Sequence, residues 1–162
     1  MKIVDIADQI FRDLDTPSDL SIPAVAFWLR NNVGSLNNHI STAFAIKAET
    51  GELLNSKDEE IDAEATAILK KMYMVHHYSV KLRSALSATT TDTVISVSDD
   101  NSSVTKINKN EVSKTYAQVK RQEYDEMQEM IHAYKIGKAV PRQNIQTSGH
   151  VRDAQTGQIK EL

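Results

Sequence analysis

A chain of 162 residues, 40% hydrophobic and 25% charged, has the make-up of a soluble protein of one domain, or one domain with an appendage. It contains no cysteine, which excludes disulfides, thiol nucleophiles and thiolate metal sites, and its net charge of -3 argues against a primary nucleic-acid binder. No apolar run approaches the ~20 residues that span a bilayer, and the opening MKIVDIADQIF is acidic and amphipathic rather than signal-like.

The first segment, Lys2 to Leu14, places Ile3, Ile6, Ala7, Ile10, Phe11 and Leu14 on one stripe, with Asp5, Asp8 and Asp13 off it. That spacing predicts an amphipathic helix, stopped by the turn formers of Asp15–Asp19. Ser21-Ile22-Pro23 then supplies a hydroxyl cap and a proline inside the first turn, where no amide hydrogen is needed. Ala26, Leu29, Val33, Leu36, Ile40 and Phe44 continue this second helix. Gly34 lies within it at a cost of about 1 kcal/mol relative to alanine, so it either allows a close helix crossing or marks a kink. Trp28, the only tryptophan, lies beside the Leu29 stripe and reads as a core or inter-subunit anchor.

Lys47 to Lys57 is polar and holds Thr50-Gly51, which fits a loop with room for a short hairpin. Asp58-Glu59-Glu60 places negative charge where a helix dipole welcomes it, so a third helix is expected from about Asp58 to Leu86, roughly 43 Å long. Ile61, Ala65, Ile68, Met72, Val75, Ser79, Leu82 and Leu86 repeat along it at alternating steps of four and three, a spacing suited to a bundle or a ring of packed helices.

Two β-branched runs follow, around the turn-rich Asp99–Ser103. They predict a β-hairpin at about 93–108, whose contact residues are Val94, Ile95, Val97, Val104 and Ile107. A lone hairpin is marginal in water, so it must lie on the bundle or pair with another subunit. Asn108 and Glu111 open a last long helix. Val112, Tyr116, Val119, Glu123 or Tyr124, Met127, Ile131 and Tyr134 carry its inner face, and Gly137 caps it. The fold expected is mainly α: a bundle of about four helices over 1–137, the hairpin between the third and fourth, and an extended C-terminal arm over 138–162.

In that arm Val140, Ile145, Val151 and Ile159 stand alone among polar residues. Such a composition does not pack by itself, so the arm reads as a segment that folds back across its own bundle or docks on another chain. The docking reading fits the spaced apolar residues better. Charge is also uneven. Residues 1–104 hold 9 Lys/Arg against 15 Asp/Glu, and residues 105–162 hold 10 against 7. This is either drift in solvated faces or complementarity with a neighbouring copy or an acidic partner.

Signs of chemistry are few. The histidines are His39, His76, His77, His132 and His150. His76 and His77 are adjacent on a helix and point about 100° apart, so they do not share a metal as an i, i+4 pair does. Glu59, Glu60, Asp62 and Glu64 fit an acidic helix start better than a carboxylate metal site. Phosphate loops, nucleophile elbows and zinc spacings are absent from the sequence, so no catalytic residue, metal or cofactor is expected and the chain reads as non-enzymatic. Tyr73, Tyr78, Tyr116, Tyr124 and Tyr134 fall on the two long helices, as core edge or subunit interface. The expected anchors are Trp28, Leu29, Tyr73, Tyr116 and Tyr124.

This order of segments, with the wording IPAVAFWLRNNVGSLNN, AEATAILKKMY and KINKNEVSKTYAQVKRQEYDEM, resembles the head–tail adaptor (connector, or neck) proteins of tailed bacteriophages, some cyanophages among them. The resemblance covers most of residues 3–137. It implies a structural virion protein, assembled in the host cytoplasm as a homo-oligomeric ring, commonly a dodecamer, beneath the portal protein. Such a ring extends the channel for genome ejection and docks a tail or nozzle protein, while DNA passes without specific binding. It also implies that the C-terminal segment binds portal, through Lys138, Val140, Pro141, Arg142, Ile145, Val151, Arg152, Ile159 and Leu162. The alternatives are another neck component, a stopper or tail-completion protein, or a helical regulatory or metal-binding protein.

Overall fold

The computed structural model describes residues 1–89, 98–99, 102–103, 109–139, 151–152 and 159–160. Four helices dominate: α1 (Ile3–Asp13), α2 (Ile22–Ile40), α3 (Ala63–Thr89) and α4 (Lys109–Lys138). Strands β1 (Ala45–Ile46) and β2 (Leu53–Leu54) form a short antiparallel hairpin between α2 and α3; β2 lies in the segment Lys47–Lys57 read as a loop with room for a hairpin, and β1 immediately precedes it.

Each helix begins and ends for a local chemical reason. In α1 the Asp5 carboxylate accepts from the Lys2 amide at 3.3 Å. The helix stops where Asp15 and Thr16 take positive φ values of 60° and 48°, within the expected turn. Ser21 Oγ accepts from the Ala24 amide at 3.4 Å and Pro23 sits in the first turn of α2. At its far end Ser41 is left-handed, and Asn37 braces the exit. Its side-chain amide donates to the Phe44 carbonyl, and its oxygen accepts from the Phe44 amide, both at 2.8 Å. This brace turns the chain into β1 and buries Phe44.

The acidic triplet does not open α3. Asn55 Oδ1 accepts from the amides of Lys57 and Glu59, Asp58 has φ 58°, and the Ile61 amide donates to the Leu53 carbonyl. Residues 55–61 therefore close a turn onto β2. The cap is Asp62, whose carboxylate accepts from the Ala65 amide at 2.8 Å, and α3 runs from Ala63 past Leu86 to Thr89. Gly137 likewise lies inside α4, one residue before its end, rather than capping it.

The core is one cluster. Ile3, Ile6 and Ile10 of α1 meet Val25, Leu29 and Leu36 of α2, Ile68 and Leu69 of α3, and Met127, Ile131 and Tyr134 of α4, with Leu53 beneath. Asp62 meets Tyr134 and Lys138, while Lys71 meets Glu123 and Glu126, so α3 and α4 run antiparallel. Met1 pairs with Glu60 and Asp13 with Lys70, so α1 runs parallel to the first half of α3. Asp19 then reaches Lys81 and Trp28 meets Tyr73 and His76, so α2 returns along the same stretch.

Candidate assembly surfaces

The contact pattern divides α3 and α4 into a buried root and a projecting end. From α3, the residues buried in the core stop at Tyr73; Val75, Ser79 and Leu82 are only half-buried and Leu86 is half exposed. The expected stripe is thus a core stripe for its first half only, because α1 and α2 pack no further along it than the Asp19–Lys81 pair. Beyond that pair α3 and α4 pack chiefly on each other. Val80, just before that pair, and Leu86 and Val112, beyond it, are exposed apolar side chains, and Ser113, not Val112, is buried. Val112 was expected on the inner face; its register places it outward.

Three clamps hold the root, two polar and one aromatic. Tyr134 donates its hydroxyl to Asp62 at 3.0 Å, and Lys138 pairs with the same carboxylate at 3.1 Å while lying 5.3 Å over the Tyr134 ring. Burial works to raise the Asp62 carboxyl, but the Ala65 amide, Lys138 and Tyr134 outweigh it and hold it below the usual carboxylate range. Burial and the Asp62 charge push the Tyr134 hydroxyl up to about 12. Midway along, Lys71 donates to Glu123 at 2.8 Å and Glu126 at 2.6 Å. Burial alone would lower this ammonium; the two carboxylates outweigh it and raise it.

The third clamp is aromatic. Trp28 stacks on His76 and meets Tyr73 edge-on, with ring centroids 5.0 Å and 5.2 Å apart. His77 lies 6.4 Å from Tyr73 and 5.5 Å from Tyr78. Burial, then Arg83, lowers His76; burial and Lys81 lower His77 against the opposing pull of Asp19. Neither imidazole meets the other in a shared ligand geometry, and among the described residues no group of three or more His, Asp or Glu side chains is placed to hold a metal ion.

The expected anchors therefore divide. Leu29 and Tyr73 are core residues, Trp28 and Tyr116 are half-buried, and Tyr124 is 47% exposed and is no core residue. Of the two candidates for the inner face of α4, Glu123 holds it, paired with Lys71, and Tyr124 faces out. Lys71 lies off the apolar stripe of α3, so periodicity does not mark it as a connector, and Asp62 stands in the sequence as one acid among several. An Asp directly before the helix formers of AEATAIL is the available sign of a cap. Phe27, 68% exposed, lies off the buried stripe, so periodicity does not mark it.

Between α3 and α4 lies a pair of short antiparallel strands, β3 (Ser98–Asp99) and β4 (Ser102–Ser103), at the turn-rich centre of the expected hairpin. The contact residues Val94, Ile95, Val97, Val104 and Ile107 lie outside the described residues. In the arm, β5 (Val151–Arg152) pairs antiparallel with β6 (Ile159–Lys160). Val140, Pro141, Arg142, Ile145 and Leu162 lie outside the described residues, whereas Lys138 ends α4 as part of the Asp62 clamp.

Among the described residues no helix is long and apolar enough to cross a membrane. No family model matches the chain, and no curated protein or solved structure matches it.

Proposed function

We propose that this chain is a structural, non-enzymatic adaptor of the head–tail connector of a tailed bacteriophage. Copies form a ring beneath the portal protein, extend the channel through which DNA passes without specific binding, and present a docking surface for a tail or nozzle protein. The observation that carries the reading is the projecting end of the α3–α4 pair. A chain with a well-filled core nonetheless leaves Val80, Leu86 and Val112 exposed on a two-helix extension. Such an end is suited to contact a neighbouring subunit. The segment order and the wording that resembles phage adaptors support the identity of the assembly, and the C-terminal segment 138–162 is the part assigned to portal.

The test is location and attachment. Antibody to the chain should label the neck of purified virions, and class averages of that neck should show it as a ring. Removing 138–162 should abolish portal attachment while far-UV circular dichroism stays helical, and Val80→Asp with Val112→Asp should block ring formation in a folded protein. Absence of the chain from purified virions overturns the proposal.

A further inference from the structure

Charge divides this chain along the length of α3. Residues 74–122, the outer half of the α3–α4 pair and the residues that join it, hold 7 Lys/Arg against 4 Asp/Glu. The root, residues 1–73 and 123–139, holds 9 against 16. From Ala65 to Thr89 α3 carries no Asp or Glu, and α4 has only Glu111 before Glu123. Lys70, Lys71 and Lys81 are each met by a carboxylate from another part of the chain, at Asp13, at Glu123 with Glu126, and at Asp19. Arg83, Lys114 and Lys120 form no ion pair among the described residues, and Arg83 and Lys114 are exposed. They stand at the same end of the molecule as the exposed Val80, Leu86 and Val112.

The opposite sign gathers at the other end of α3. Residues 47–64, from the turn of the β1–β2 hairpin to the first residues of α3, hold 7 Asp/Glu against 2 Lys. Glu49, Asp58 and Glu64 are exposed and form no ion pair among the described residues. Ile136, 62% exposed in the last turn of α4, lies at this end too, because Lys138 reaches Asp62. Each end thus combines unpaired charge of one sign with exposed apolar surface. The 27 residues of α3 span about 40 Å, several times the ~8 Å over which physiological salt screens a charge. Within one chain the two ends do not neutralise each other; between two copies they do.

We infer that the basic outer half of the α3–α4 pair docks on the acidic 47–64 region of a second copy of this chain. The two patches are different parts of the chain, so the contact is heterologous. Each copy in a pair keeps one patch free for a further neighbour, which is what closing a ring requires. The inference rests on the reading of the chain as a ring-forming subunit and names the surface that receives its projecting end. A nucleic acid offers charge of the same sign as the acidic region. Its phosphates gain nothing from Val80, Leu86 and Val112, however, whereas a protein surface that exposes Ile136 does.

Charge reversal of the full chain, followed by sedimentation velocity, tests the pairing. Arg83→Glu with Lys114→Glu, and separately Glu49→Lys with Glu64→Lys, should each weaken self-association about tenfold or more with the far-UV spectrum unchanged. Mixing the two variants in equal amounts should restore it. The reversed projection of one then meets the reversed acidic region of the other, and the remaining two patches are those of the wild type. Self-association that neither variant weakens, or that the mixture fails to restore, overturns the inference. If Val80→Asp with Val112→Asp still abolishes assembly in that case, the ring reading survives alone. A wild-type chain that is monomeric at every concentration and salt overturns both. Binding of duplex DNA that Arg83→Glu with Lys114→Glu removes, while self-association is unchanged, gives the basic end to nucleic acid and overturns the inference equally.

Discussion

The indole of Trp28 stacks on the imidazole of His76, with planes inclined by 28°, and this pair joins α2 to the middle of α3. Because His76 and His77 are held below the ordinary histidine range by burial and by the Arg83 and Lys81 charges, the folded chain prefers both imidazoles neutral. The unfolded chain therefore binds more protons as pH falls through about 6.5, and stability is lost on the acid side of that value. Emission of Trp28 should titrate with a midpoint below 6.5, and His76→Phe should remove that transition while keeping a ring against the indole.

Asp62 caps α3 and receives Tyr134 and Lys138 from α4. Asp62→Ala should cost about 2–3 kcal/mol, the sum of a lost cap and an orphaned hydroxyl, measured by urea unfolding. Tyr134→Phe should cost about 1 kcal/mol, and the double variant less than the two singles added. Since the Asp62 carboxyl is held below its ordinary range, its contribution is present above pH 4 and disappears as pH falls through the lowered value.

Lys71 sits between Glu123 and Glu126, and its removal leaves two carboxylates facing one another. Lys71→Met should destabilise the α3–α4 pair by about 1 kcal/mol at neutral pH. The difference from wild type should shrink as pH falls through the Glu126 value, which the Lys71 hydrogen bond holds below the usual carboxylate range. A penalty that is unchanged once that carboxyl has taken up its proton would mean that packing of the lysine stem, not its charge, is what was lost.

Gly34→Ala should raise stability by about 1 kcal/mol in thermal melts, because the methyl group meets open space and the unfolded chain loses freedom. Leu69→Ala, in the filled core, should lower it by about 2–5 kcal/mol.

The helices were legible because their causes are local. Ile3, Ile6 and Ile10 lie on one stripe, Ser21 and Pro23 mark a start, and the spacing of Ala65, Ile68 and Met72 persists in the buried half of α3. The start of α3 was not legible, since an acidic triplet favours a helix dipole and equally well occupies a turn. Asn55, four residues before Glu59, decides between them by accepting two turn amides. The outer half of the α3 stripe misled for a different reason. Periodicity at Val75, Leu82 and Leu86 marks a face of the helix, but burial needs a partner, and α1 and α2 are too short to supply one. Tyr124 and Glu123 show the same limit: one side chain is greasy and the other charged, yet Lys71 on the facing helix draws the glutamate inward.

The unequal cover along α3 makes one continuous helix into two regions of different lifetime. Amide protons from Ala65 to Tyr73, roofed by three other helices, should exchange with deuterium only when the whole molecule opens. Those from Leu82 onward, beyond the Asp19–Lys81 pair, should exchange through local fraying that leaves the core intact. The end of α3 that is freest to reshape is then the same end that exposes its apolar side chains, so a partner that binds there would be seen first as a slowing of exchange at Leu82–Thr89.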